Sequence, residues 1–262
     1  MRRMLTGGVS AFAVLSFALA GCSGADTVTS EKADPTVQQQ DAATLIPQSL
    51  KKIQSESFRF TSTMTMDDVE IKGSGAFDMA SKVGLVKLDM GAATGQDMKL
   101  EMRVLGDDMY MSGFFGTEQW IRLDLTKFPA GNMFGEAANP VGNADYLLAV
   151  SDDVKEVGRG RYQGTLDLKK YLDEYASPEK ARKLEDALGK LGPEAMKVPF
   201  EATLDDQNRL TVMKITMTFD AGSKKMTMVQ EAKYFDFGTK VDVSKPPADK
   251  VTDAPADLYR TN

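Results

Sequence analysis

The chain has 262 residues, with 32 Lys and Arg against 38 Asp and Glu, one cysteine and no histidine. That length holds one large domain or two small ones. The acidic balance argues against nucleic acid as a partner, the missing histidine removes Ser-His-Asp, Cys-His and histidine-zinc chemistry, and a single cysteine permits no internal disulfide.

The chain opens MRRMLTGGVSAFAVLSFALAGCSG. Arg2 and Arg3 form a short basic segment, and an apolar run follows from Met4 to about Leu19. The run has the length of a signal-peptide core and falls short of the ~20 apolar residues of a spanning helix, so residues 1–21 are expected to be a targeting segment outside the fold. It ends in Leu19-Ala20-Gly21-Cys22. This resembles the lipobox of bacterial lipoproteins, in which an apolar residue and two small residues precede an obligatory cysteine. The resemblance implies cleavage before Cys22, acylation of its thiol, and a protein anchored on the extracytoplasmic face of the cell membrane. Removing Arg2 and Arg3 leaves 30 basic against 38 acidic side chains, a net of −8. Such a surface has no general attraction to anionic headgroups, so the anchor has to do the holding. Acyl chains contribute ~0.8 kcal/mol per buried methylene, and two chains suffice where one does not.

Residues 22–40 comprise Cys22 and a small, polar stretch without apolar periodicity, a flexible tether spanning roughly 21–25 Å. The domain is expected over 41–245. Ala42, Leu45, Ile46, Ser49, Leu50 and Ile53 form one helical stripe, with Asp41 as N-cap and Pro47 as a defect. From Phe58 the period changes to two: Phe58, Phe60, Ser62, Met64 and Met66 share one face of a strand. Val69 to Met79, Val86 to Met90, Met98 to Val104, Met109–Met111 and Gln119–Leu123 continue an antiparallel meander. Residues 126–150 break the pattern with prolines and glycines. A strand is expected from Val154 to Leu168, then a helix from Ser177 to about Leu191. Strands at Val198–Leu204, Thr211–Phe219 and Met226–Phe235 close the domain. Residues 246–262, with Pro246, Pro247 and Pro255, are expected to be an unstructured tail.

The acidic pairs Asp67-Asp68, Asp107-Asp108, Asp152-Asp153 and Asp205-Asp206 stand where turns are needed, and aspartate favours turns by bonding its own backbone. No metal site is expected. The chain has 16 methionines, mostly at alternating strand positions, where flexible thioethers suit either an adaptable apolar cavity or a packed core. Soft thioethers also select Cu(I), but without histidine the spacing gives no copper motif.

The lipobox, tether, amphipathic helix leading into S-F-R-F-T-S-T-M, strand meander and late V-P-F-E-A-T-L-D-D-Q-N-R-L hairpin resemble actinobacterial lipoproteins of the LppX/LprAFG group, which share the fold of the carriers LolA and LolB. The resemblance implies an α+β fold: a curved antiparallel β-sheet, an unclosed half-barrel with helices covering its concave face. It also implies an apolar cavity for acyl chains, expected to be lined by Phe60, Met64, Met66, Leu88, Leu100, Met102, Val104, Met111, Trp120, Phe128, Met133, Phe134 and Phe200. The function expected is non-enzymatic binding of a lipid, glycolipid or other apolar ligand as carrier or presenter in the cell envelope, by a monomer without cofactor. The alternative is an envelope sensor or protein-interaction module with a filled core and a protein partner. A carboxylate hydrolase ranks last. Metabolic labelling with palmitate is expected to mark the wild-type protein and leave Cys22→Ser unmarked; equal labelling of both would contradict anchoring through Cys22.

Overall fold

The computed structural model describes residues 41–95, 98–113, 119–128, 142–222 and 224–260. All of them belong to one unit, Gln40–Asn262. The leader, Cys22, the tether, Met133 and Phe134 lie outside the described residues.

Helix α1 spans Ala42–Ser55. The Asp41 carboxylate accepts from the Ala43 N–H (3.2 Å) at its start, a cap of ~1 kcal/mol. Pro47 sits inside the helix without ending it. Two residues on, Ser49 is fully buried and its hydroxyl donates to the Ile46 carbonyl at 2.7 Å. Leu45, Ile46, Leu50 and Ile53 are buried on the same stripe, each contributing ~1.5–3 kcal/mol by leaving water.

Twelve strands among the described residues form a single curved, unclosed sheet. They are β1 (Ser57–Met66), β2 (Val69–Asp78), β3 (Val83–Asp89), β4 (Lys99–Leu105), β5 (Asp108–Ser112), β6 (Trp120–Asp124), β7 (Lys155–Gly158), β8 (Arg161–Asp167), β9 (Lys197–Leu204), β10 (Leu210–Ala221), β11 (Lys224–Phe235) and β12 (Val251–Asp253). Their order is β12-β6-β5-β4-β3-β2-β1-β11-β10-β9-β8-β7. The meander β1–β6 therefore runs one way from the centre and the hairpins β7–β11 the other, joined where β1 pairs with β11. Further helices are α2 (Gly91–Thr94), α3 (Leu168–Glu174) and α4 (Pro178–Gly189). Ser177 caps α4 with Pro178 in its first turn, as the sequence predicts.

Three expectations need correction. The predicted strand 154–168 is a hairpin, β7 and β8, turning at Arg159-Gly160, where Gly160 has φ +66°; the backbone reverses where a left-handed residue is available. Leu168, placed at the end of that strand, instead starts α3, because Asp167 caps it by accepting from the Lys170 N–H at 3.1 Å. The third concerns 246–262 and the all-antiparallel sheet. Residues 248–260 form a 3₁₀ turn, strand β12 and a second 3₁₀ turn, and β12 pairs parallel with β6. The sheet is mixed.

The reason lies in the strap that leads there. After β11 the chain crosses the outer face of β1–β5. The Gly238 N–H donates to the Ser57 carbonyl (2.8 Å), the Ser57 hydroxyl to the Thr239 carbonyl (2.7 Å), and Arg103 to the Ser244 carbonyl (2.9 Å). Pro246 is buried. At the far edge Arg122 pairs with Asp253 at 2.7 Å, and the Tyr259 hydroxyl accepts from the Asp124 N–H at 3.0 Å. Trp120, the chain's single tryptophan, is 8% exposed beneath this strap. Deleting residues 246–262 is expected to red-shift the Trp120 emission and lower the melting midpoint, by roughly 2–4 °C per kcal/mol lost. A variant that keeps a buried-tryptophan spectrum would show that the strap does not cover this ring.

Candidate functional site

The register fixes which side chains share the inner, helix-bearing face. One row runs Met111–Met102–Val86–Gly75–Phe60–Tyr234 across six strands. The next runs Leu100–Leu88–Gly73–Ser62–Ala232–Met213 and on to Ala202 and Tyr162. Glycine is required at position 75: a Cβ there would stand 2.2 Å from the Leu85 carbonyl oxygen and 2.6 Å from the Phe60 ring. That gap lets Phe60 settle among Phe58 and Phe77, with ring centroids 6.3–6.5 Å apart.

These rows are packed core. Phe60, Leu100, Met102, Val104, Met111 and Phe200 are all buried, and all but Leu100 belong with the α1 stripe to one hydrophobic cluster. Helix α1 and the 3₁₀ segment Gly142–Ala149, whose Leu147 is fully buried, contribute to the same cluster. Leu88 is half-buried at the margin of the same cluster.

One further expectation fails on facing. Trp120 lies on the outer face, because Ile121 and Leu123 pair with the inward Met111 and Met109, which turns Trp120 the other way. The Arg103 guanidinium covers its ring at 4.6 Å. The alternation of Trp120 with Ile121 and Leu123 is the signal available in the sequence; the strap that makes an outward tryptophan buried leaves none. Phe128 packs on Tyr259 from the C-terminal segment, centroids 4.8 Å apart, and belongs to the strap's anchorage.

Met64 and Met66 stand differently. The last pair between β2 and β3 is Lys72–Asp89, and the last between β10 and β9 is Ile215–Phe200. Beyond these, β2, β1, β11 and β10 continue as a four-stranded tongue, with the 3₁₀ turn Pro193–Met196 packed against β10 and the Asp220 N–H donating to the Leu191 carbonyl at 2.9 Å. Its inner face carries Ile71–Met64–Gln230 in one row, Val69–Met66–Met228–Met217 in the next, and Met226–Phe219 beyond. None of these side chains is buried, and Met66 is 37% exposed. The opposite face carries Thr65, Val229, Thr216, Thr218 and Thr227, with the Thr218 and Thr227 hydroxyls 3.4 Å apart. An Asp67–Lys224 ion pair of 2.7 Å ties the two hairpin tips. The tongue is therefore mainly apolar on one side and mainly threonine on the other, and its apolar side continues the core into water.

Hollows also open on the outer face. One of about 350 Å³ lies between the strap and β1–β3, with Arg59, Lys87 and Lys240 around it. A neighbour of about 480 Å³ includes Lys72, Lys87 and Lys99. Lys72 is paired with Glu70 at 2.9 Å and Lys87 with Glu101 at 3.9 Å. These are exposed pairs, screened by water and weak.

No protein-family model and no curated protein matches the chain. The likeness is to solved structures. An uncharacterized conserved protein from Thermus thermophilus aligns with a TM-score of 0.40 at 10% identity, covering 81% of this chain and 99% of that one. A DUF1329 family protein from Desulfovibrio piger aligns with a TM-score of 0.32 at 10% identity, covering 77% and 93%. At these scores the likeness carries no argument about function. Among the described residues no helix is long and apolar enough to cross a membrane.

Tyr234, in the centre of the inner face, gives the core a titration signature. Burial pushes its hydroxyl up to about 12 from an ordinary 10. The folded state then holds a proton that the unfolded chain loses first, so the stability is intact below pH ~10 and falls as pH rises towards 12. The loss approaches ~2–3 kcal/mol. Tyr234→Phe is expected to flatten alkaline unfolding between pH 10 and 12; an unchanged curve would place the titrating group elsewhere.

Proposed function

We propose that this protein is a membrane-anchored, non-enzymatic binding protein that lays an acyl chain or comparable apolar ligand along the inner face of the tongue. The observation that carries the reading is the strip Val69–Met66–Met228–Met217 and its neighbours. It is a contiguous apolar row continuous with the core, half-buried at Val69, Met228 and Met217 and 37% exposed at Met66. Contiguous exposed apolar surface marks an interaction site in a folded protein. Methionine suits the role because its unbranched thioether chain re-packs around irregular apolar shapes. The curved, unclosed sheet supports the same reading. Cys22 supplies the anchor. A sensor role with a protein partner is the second reading, favoured by the packing of the core rows.

The test uses the purified full-length protein and a fluorescent fatty acid. Wild type is expected to take up the fatty acid with a blue shift. Met66→Asp and Met228→Asp are expected to lose uptake by ~tenfold or more, since a charge on an apolar docking surface has to be desolvated. Both should keep the wild-type circular dichroism, because neither position is buried. Wild type with no uptake of fatty acid or phospholipid would overturn the reading and favour a protein partner.

A further inference from the structure

We propose that Met66, Met228 and Met217 form a binding site for a soft monovalent cation, Cu(I) or its analogue Ag(I). Met66 stands directly opposite Met228, and Met228 directly opposite Met217. Three thioethers thus leave the same face of three adjacent strands in one row. Neighbouring strands lie ~4.8 Å apart, and on a concave face the side-chain ends converge. Each methionine has three rotatable bonds with which to turn its sulfur towards a common centre. The sequence hides this site: Met66 and Met217 are far apart along the chain, and only the β1–β11–β10 order brings them together.

The donor set decides the ion. Thioether sulfur is soft and neutral, and such ligands select Cu(I). Calcium and magnesium take oxygen ligands, which the row does not offer. Imidazole, the usual ligand for zinc and Cu(II), is absent from the whole chain. Met64, two residues along β1, and Met226, two residues along β11, lie on the same face and extend the sulfur set. Access and charge agree. Met66 is 37% exposed, so the ion enters without disturbing the core. The protein is net acidic, which favours cations at its surface. Asp67 and Asp68 directly follow Met66, and Asp67 engages Lys224 at 2.7 Å. The site shares the strip with the apolar ligand proposed above but does not depend on it, since leucine in place of methionine keeps the apolar surface and removes the sulfur.

The experiment titrates the purified full-length protein, free thiols blocked with N-ethylmaleimide, with Ag(I), and with Cu(I) under anaerobic conditions. Native mass spectrometry reads the stoichiometry and ¹³C-methyl methionine NMR reads the ligands. One tightly held ion per chain is expected, with shifts at the Met66, Met217 and Met228 methyls. The triple variant Met66→Leu, Met217→Leu, Met228→Leu is expected to bind ~tenfold or more weakly, with the melting midpoint kept. If the triple variant does not fold, the single Met66→Leu, at the most exposed of the three, is expected to weaken binding severalfold. No stoichiometric ion, or unchanged binding by the leucine variants, would overturn the site. Ion binding by a wild-type protein that takes up no fatty acid would instead overturn the acyl-chain reading and leave this one standing.

Discussion

Strand alternation from Phe58 to Tyr234 gives this sheet one continuous apolar face, and an apolar face in water has to be covered. Most of the structure answers that requirement. Helix α1 lays Leu45, Ile46, Leu50 and Ile53 on the central rows, and the 3₁₀ segment Gly142–Ala149 adds Leu147 beside it. A helix of 14 residues is about 21 Å long at 1.5 Å per residue. The tongue carries the apolar face past the last pairs of β3 and β9, which leaves the methionine strip at the surface.

The outer face follows different physics. Its side chains are mostly charged or threonine, and apart from the half-buried Arg103–Glu101 pair most of its ion pairs are exposed and individually weak. Yet Tyr110 and Trp120 are buried there, because the strap from Asp236 to Asp253 crosses them and pairs with the sheet's edge. Backbone hydrogen bonds, the Arg103 stack on Trp120 and the Phe128–Tyr259 contact hold the strap. It also covers the β6 edge, which would otherwise offer unpaired backbone groups to another chain.

The consequence for function is one of position. A half-barrel with a deep pocket would hold a ligand under its helix. Here the central rows are buried with α1, and the more exposed apolar side chains of the inner face, Met66 foremost, stand towards the hairpin tips, among thioethers that re-pack at low cost. Binding there needs no opening of the core. The packed rings of Phe58, Phe60 and Phe77 lie at the tongue's base.

Much of the fold is legible in the sequence, and the reasons are local. The α1 stripe, the Asp41 and Ser177 caps and the strand alternation each depend on residues near one another in the chain. Parity alone assigns Phe60, Met64 and Met66 to one face of their strand. Trp120 misleads because bulk suggests the inner face, although its neighbours Ile121 and Leu123 already hold that side. Which inward residues are packed and which lie open is not legible. Met66 and Met102 both alternate inward on their strands, and only the lengths of the neighbouring strands and the position of α1 separate them. The sequence by itself determined most of the elements and strand faces, and it carries the expectation of a leader over residues 1–21. The tertiary structure alone decided the strap, the parallel edge and the row Met66–Met228–Met217, because strand order joins residues whose separation along the chain carries no local signal.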